Sequence, residues 1–190
     1  TGASAKAFTL AAWIAPDSVS GTRMIFSFGN YERRFCWSGT NLYFNIDGAS
    51  DGTVRADDVV PAAKWTHVAA TFKGGNPGGS GTDGYMKLYV NGVLQTVTVS
   101  SELNNPDDIN EGTFNSNIGV ARTSDYEFDG EITEAAVWDE ELTAADILTI
   151  YDQQFGGVLD LNTVGVSDLI AYYKFDTLLG DTAAAVDNRA

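Results

Sequence analysis

The stretch "KLYVNGVLQTV", Lys87–Val97, decides the fold class. Two alternating runs flank Asn91-Gly92, and that dipeptide readily supplies the two positive φ angles of a type I′ turn, so the stretch predicts a tight antiparallel hairpin. The same period-two pattern recurs in "KAFTLAAWIAP", residues 6–16. There Phe8, Leu10, Ala12 and Ile14 fall on one side and Thr9, Ala11 and Trp13 on the other, until Pro16 stops the run. Further strands are predicted at "RMIFSFG" from Arg23, "RRFCWS" from Arg33, "NLYFNID" from Asn41, "WTHVAATFK" from Trp65, "YMKLYVNG" from Tyr85, "VLQTVTVS" from Val93 and "TFNSNIGVA" from Thr113. Many short strands separated by turn signals make the chain all-β, a sandwich or a barrel.

Between the strands, "KGGNPGGSGTDG" from Lys73 carries six glycines and one proline and reads as a mobile surface loop without regular structure. It lacks the Lys-Ser or Lys-Thr ending of a phosphate loop, so its glycines carry no nucleotide signal. One helix is predicted, over residues 143–152 of "LTAADILTIYDQQ". Thr143 caps it, Asp146 reaches back as a shortened capping box, and Ile147, Ile150 and Tyr151 share a face. Just before it, "GEITEAAVWDEEL" is strand-like with a slipped phase, as a bulge or two-sided burial would give.

A chain of 190 residues, 44% hydrophobic, buries a proper core and is most simply a single domain over residues 1–190. No apolar run approaches the roughly 20 residues that cross a bilayer, so no membrane insertion is expected. The net charge of −15 sets eleven basic residues among twenty-six acidic ones, which argues against nucleic acid as a partner because phosphate binding needs clustered Lys and Arg. The lone Cys36 excludes an internal disulfide and, between aromatics, reads as a small buried hydrophobe.

The order of the phrases "FTLAAWIAP", "WTHVAATF", "KLYVNGVLQ", "NIGVA" and "FDGEITEAAVWDEELTAADILTIY" resembles the laminin G-like modules of the concanavalin A-like lectin/glucanase superfamily, over about residues 7 to 152. The resemblance implies a two-sheet antiparallel jelly-roll sandwich, usually on secreted, cell-surface or virion proteins, with binding as the usual activity. In many such modules a phrase similar to "LIAYYKFD" is the first strand. Here it follows the helix, and too few residues come after it for another sandwich. Residues 168–190 are therefore expected to supply the strand that closes a permuted sandwich. That order is similar to modules of tailed-phage structural proteins, which implies a virion role.

Three groups of residues are candidates for chemistry. Glu127, Asp129 and Glu131 resemble the E-x-D-x-E strand of retaining glycanases in the same superfamily, where two carboxylates about 5 Å apart flank the scissile bond. Gly130 departs from that motif, and the triplet fits a laminin G-like turn into a strand better. For calcium, a hard cation that takes several oxygens, the candidate ligands are Asp47 with Asp51 and Asp125 with Asp129, against solvated loop acids as the plain alternative. For stacking on sugar rings the candidates are Tyr31, Phe35, Trp37, Tyr43 and Tyr126, whereas Trp13, Trp65 and Trp138 are expected in the core. His67, the only histidine, is expected to be a packed structural residue.

The expectation is a non-catalytic binding, adhesion or surface-coating module, on a virion (capsid decoration, fibre or tail component) or an extracellular protein. Its partners would be glycan or neighbouring structural subunits. The enzymatic alternative is a glycanase using Glu127 and Glu131.

Overall fold

The computed structural model describes residues 6–29, 33–47, 51–75, 82–104, 116–121, 126–155, 161 and 168–175. Two six-stranded antiparallel sheets face each other. The strands, in chain order, are β1 (Phe8–Pro16), β2 (Thr22–Phe28), β3 (Arg33–Ser38), β4 (Asn41–Ile46), β5 (Gly52–Ala56), β6 (Thr66–Phe72), β7 (Met86–Val90), β8 (Val93–Leu94), β9 (Thr98–Ser101), β10 (Asn117–Ile118), β11 (Gly130–Trp138) and β12 (Leu169–Tyr173). One sheet runs β12-β11-β1-β6-β7-β8 and the other β10-β2-β3-β4-β5-β9. We call them the helix-side sheet and the open sheet.

Strand β1 explains the first name. All nine of its residues are buried. Phe8, Leu10, Ala12 and Ile14 point between the sheets, while Ala11 on the opposite face belongs to a second apolar cluster with Trp138, Ile147, Ile150 and Tyr172. That second cluster lies under helix α2 (Ala144–Phe155). The predicted capping box is in place: the Thr143 amide donates to Asp146 Oδ2 at 2.9 Å, and the Asp146 amide donates to Thr143 Oγ1 at 3.2 Å. Such a cap stabilises a helix by about 1 kcal/mol. The buried Thr9 hydroxyl then ties helix to strand, donating to the Glu140 carbonyl at 2.7 Å and accepting from the Leu142 amide at 2.9 Å.

The Asn91-Gly92 turn forms as expected, with φ of 49° and 77°. Gly92 is needed twice over, because a Cβ there would also sit 2.9 Å from Leu148 Cδ1 of α2. The second arm of the hairpin departs from the predicted single strand. It leaves the helix-side sheet after two residues, β8, and re-forms as β9 on the edge of the open sheet. The glycine-rich loop also ends in more order than expected. Thr82–Tyr85 makes one helical turn, α1, and the buried Thr82 hydroxyl donates to Glu102 Oε2 at 2.5 Å and accepts from the Leu103 amide at 2.9 Å.

The slipped phase of β11 is a bulge. Ala11 faces Ala136 but Trp13 faces Thr133, so β11 carries one extra residue, and Glu134 there has φ 52°. Its outer neighbour is β12, with Ala136 facing Tyr172. The late phrase "LIAYY" thus pairs antiparallel with β11 at the edge of the helix-side sheet and puts the buried Tyr172 ring under α2. Residues 176–190, the rest of the predicted closing segment, lie outside the described residues.

In the open sheet, Ile25, Phe26, Phe35, Trp37, Leu42, Phe44, Ile46, Val54 and Ala56 face the core. The opposite face, with Arg34, Ser38, Tyr43, Asn45, Thr53 and Arg55, stays partly exposed. Among the described residues, one sheet is therefore roofed by a helix and no helix covers the other, which directs attention to that second face.

Candidate functional site

A shallow cavity of about 300 Å³ lies on the outer face of the open sheet. Three adjacent strands build it from alternate residues: Thr22 and Met24 of β2, Arg34, Cys36 and Ser38 of β3, and Tyr43 and Asn45 of β4. Register brings them together, since Met24 faces Cys36 and Cys36 faces Tyr43. A bulge after Met24 lets Ile25 and Phe26 both turn to the core while Thr22 and Met24 keep facing the cavity. Tyr126 reaches in from the segment before β11, and its carbonyl accepts a hydrogen bond from the Met24 amide at 2.9 Å.

The lining is fixed by local contacts. Met24, Cys36 and Ala121 form a small buried cluster against which Tyr43 packs. Asn45 Nδ2 donates to Thr53 Oγ1 at 2.7 Å, and Thr22 Oγ1 donates to Ser38 Oγ at 3.0 Å. Beside Tyr43, Arg55 is held protonated above its ordinary range by hydrogen bonds to Asp57 and then Tyr43, with Nε 2.6 Å from Asp57 Oδ1. Burial pushes the Cys36 thiol up to about 12, against a smaller opposing pull from Arg34, so the floor carries a neutral thiol and no nucleophile. Among the described residues, two aromatic rings, hydroxyls, an amide and one guanidinium line the cavity, and no carboxylate does. Such a surface can stack on a ring and hydrogen-bond its rim.

The residues singled out from sequence separate cleanly. Tyr43 and Tyr126 converge on this cavity, the latter 48% exposed. Phe35 and Trp37 are corrections: both are 0% exposed between the sheets, because odd-numbered residues of β3 face inward, and they offer no ring to a ligand. Trp65 is a correction of the opposite kind, 47% exposed where a core residue was expected. Tyr31 and Asp125 lie outside the described residues. Sequence reasoning missed Met24, Arg34, Ser38 and Asn45, whose only signal is parity on three strands whose register it did not know.

The acidic candidates stay apart. Strand β11 begins only at Gly130, so Glu127 and Asp129 precede it and the three carboxylates share no strand face. All three are exposed. The reason is Gly130 itself, with φ 134° and a backbone so close to β1 that a Cβ would lie 2.2 Å from the Ala15 carbonyl oxygen. The strand geometry that the glycanase reading requires is therefore absent. Asp129 instead anchors the turn: its carbonyl accepts from the Asp17 amide at 2.9 Å and its carboxylate from Ser18 Oγ at 3.3 Å. Among the described residues, which include Asp47, Asp51 and Asp129, no three His, Cys, Asp or Glu side chains gather as a metal ion would need. Also among the described residues, no helix is long and apolar enough to cross a membrane.

A family model of laminin G type, described as the concanavalin A-like lectin/glucanases superfamily, matches residues 2–148. The chain belongs to this superfamily. As a laminin G-like chain it is 25% identical over 154 residues to the pentraxin-related protein PTX3 of Mus musculus, covering 75% of itself and 38% of that relative. It thus spans well under half the length of the curated relative it matches. Among solved structures it is similar to a Bacteroides ovatus protein assigned to carbohydrate binding, with a TM-score of 0.62 and 19% identity, covering 92% of this chain and 46% of that one. It is also similar to the CBM40 module of the Ruminococcus gnavus IT-sialidase bound to α2,3-sialyllactose, with a TM-score of 0.57 and 16% identity over 77% of this chain and 83% of that one. These structural likenesses bear out the two-sheet sandwich fold.

Proposed function

We propose that this laminin G-like chain is a non-catalytic glycan-binding module whose ligand lies across β2, β3 and β4 on the outer face of the open sheet. The convergence of Tyr43 and Tyr126 with Arg34 and Asn45 in one cavity carries the reading. A sugar presents an apolar C–H face and a rim of hydroxyls, and a lining of tyrosine rings with an amide and a guanidinium matches both. Catalysis finds no support in that lining, whose described residues offer neither a carboxylate pair nor an ionised thiol. Carbohydrate-binding proteins among its structural neighbours lend the fold-level argument, and the site supplies the rest. The setting that suits the module is an exposed one, extracellular or on a virion surface, where a net charge of −15 resists self-association.

The test is a glycan array spanning neutral and acidic sugars, followed by titration calorimetry on each hit. Tyr43→Ala and Tyr126→Ala should each weaken binding about tenfold, near 1.4 kcal/mol. Undiminished affinity in the double variant would remove the sheet face as the site.

A further inference from the structure

We infer that the module carries a second carbohydrate site, at the edge of the sandwich between β10 and β11, shaped for a neutral pyranose and separate from the sheet-face site. A groove of about 700 Å³ opens there, and Trp65, Phe128, Glu131, Ile132 and Phe175 line it. None of these residues contributes to the cavity on the open sheet.

The aromatic rings give the first argument. The fold buries Trp13, Trp37 and Trp138, yet leaves Trp65 47% and Phe175 40% exposed on this one groove. Large rings held in water on a shared concave surface are a binding signature, because isolated exposed aromatics would scatter. The groove is also fixed in advance. Its floor, Phe128, packs edge-on against the buried Trp37 with centroids 4.5 Å apart, and its amide donates to the Gly119 carbonyl at 2.7 Å. Phe175 stacks on Tyr173 at 5.9 Å, and the Thr133 hydroxyl donates to the Lys174 carbonyl, which ties the end of β12 to β11. A site whose walls are already ordered costs a ligand little entropy.

The charge pattern selects the occupant. Among the described residues, Glu131 is the charged side chain lining this groove, and it is exposed. A carboxylate accepts from sugar hydroxyls in charge-assisted hydrogen bonds and repels an acidic sugar. The indole and phenyl faces meet the apolar face of a pyranose. A neutral hexopyranoside satisfies both, and the volume lies within the range of small-ligand sites. The sheet face, with Arg34 and no carboxylate among its described lining residues, carries the opposite charge.

Trp65 reports on its own site, since it is the exposed one of four tryptophans. Acrylamide quenching of intrinsic fluorescence should be followed with methyl glycosides of glucose, galactose, mannose and N-acetylglucosamine, and with N-acetylneuraminic acid as the acidic probe. At least one neutral glycoside should shield Trp65. Its affinity should fall about tenfold in Glu131→Gln as the hydrogen bond loses its charge, and stay unchanged in Tyr43→Ala. The inference is overturned if no neutral glycoside shields Trp65, if only the acidic sugar does, or if Glu131→Gln binds as the wild type does. Loss of shielding in Tyr43→Ala would also overturn it, by making the two sites one. Finally, a Trp65 closed to acrylamide in the free protein would mean that another part of the chain fills the groove, which equally overturns it.

Discussion

The Trp13 indole stacks on the Tyr151 ring, with centroids 5.6 Å and planes 23° apart, and the imidazole of His67 is shut in beside both, 5.6 Å from Trp13 and 6.0 Å from Tyr151. Among the described residues, neither ring nitrogen of His67 finds a hydrogen-bond partner. Helix α2 thus closes a largely apolar slot on a titratable group.

That slot makes stability depend on pH. Burial pushes the pKa of His67 down to about 3, whereas the unfolded chain binds its proton near pH 6.5. Between those values the unfolded state holds more protons. The stabilisation is therefore complete above about pH 6.5 and drains as pH falls towards 3, by a total on the order of 5 kcal/mol. His67→Leu keeps the slot apolar and should unfold at a temperature that falls less on going from about pH 7 to pH 4.5. Parallel melting profiles for the two proteins would refute a neutral buried imidazole.

Gly130 should tolerate no side chain. Its φ is positive, and the Ala15 carbonyl oxygen stands 2.2 Å from where a Cβ would lie, so a methyl group there forces β1 or β11 to move. The cost should be about 3 kcal/mol or more. Thermal unfolding of Gly130→Ala checks this, and a melting point within a degree or two of the wild type would contradict it.

The late strand should be essential. Tyr172 is buried beneath α2 and its hydroxyl donates to Glu134 beside the β11 bulge, so Tyr172→Ala should cost about 3–5 kcal/mol. Removing residues 168–190 strips the edge of β11 and should prevent folding, as read by loss of near-ultraviolet circular dichroism. A truncated chain that keeps its native spectrum would make β12 an accessory.

Cys36 should be inert. With its thiol pushed up to about 12, the thiolate population near pH 8 is roughly a thousandfold below that of a free cysteine. Iodoacetamide labelling followed by mass spectrometry should find it modified only after unfolding. Labelling of the native protein at the rate of a free thiol would show that the floor of the sheet-face cavity is open.

Much of this architecture is legible in the sequence where one local rule decides. Asn91-Gly92 dictates its turn through φ, Thr143 and Asp146 dictate a cap through reach, and the alternation of β1 separates Leu10 from Ala11 correctly. The cavity-bearing face was harder, because parity in "RRFCWS" sets Phe35 and Trp37 against Arg34, Cys36 and Ser38, and rings that look suited to a ligand are the ones the core takes. Packing settles the sides: Trp37 joins the core between the sheets, and Cys36 clusters with Met24 and Ala121 on the other face. Strand β5, "GTVRA", escaped notice because Gly52 and Arg55 break the pattern between acidic flanks, although Val54 and Ala56 are buried. Trp65 misled for a similar reason: it immediately precedes a fully buried strand but lies outside it.

The split of the second hairpin arm into β8 and β9 has a mechanical consequence. A few residues of chain carry one sheet's edge directly into the other's, so the sandwich is bound along that margin like a book along its spine. On the opposite margin, β10 and β12 belong to different sheets, and β11 and α2 come between them in the chain. Strapped in this way, the β9 edge should exchange its amide protons more slowly than the β10 edge.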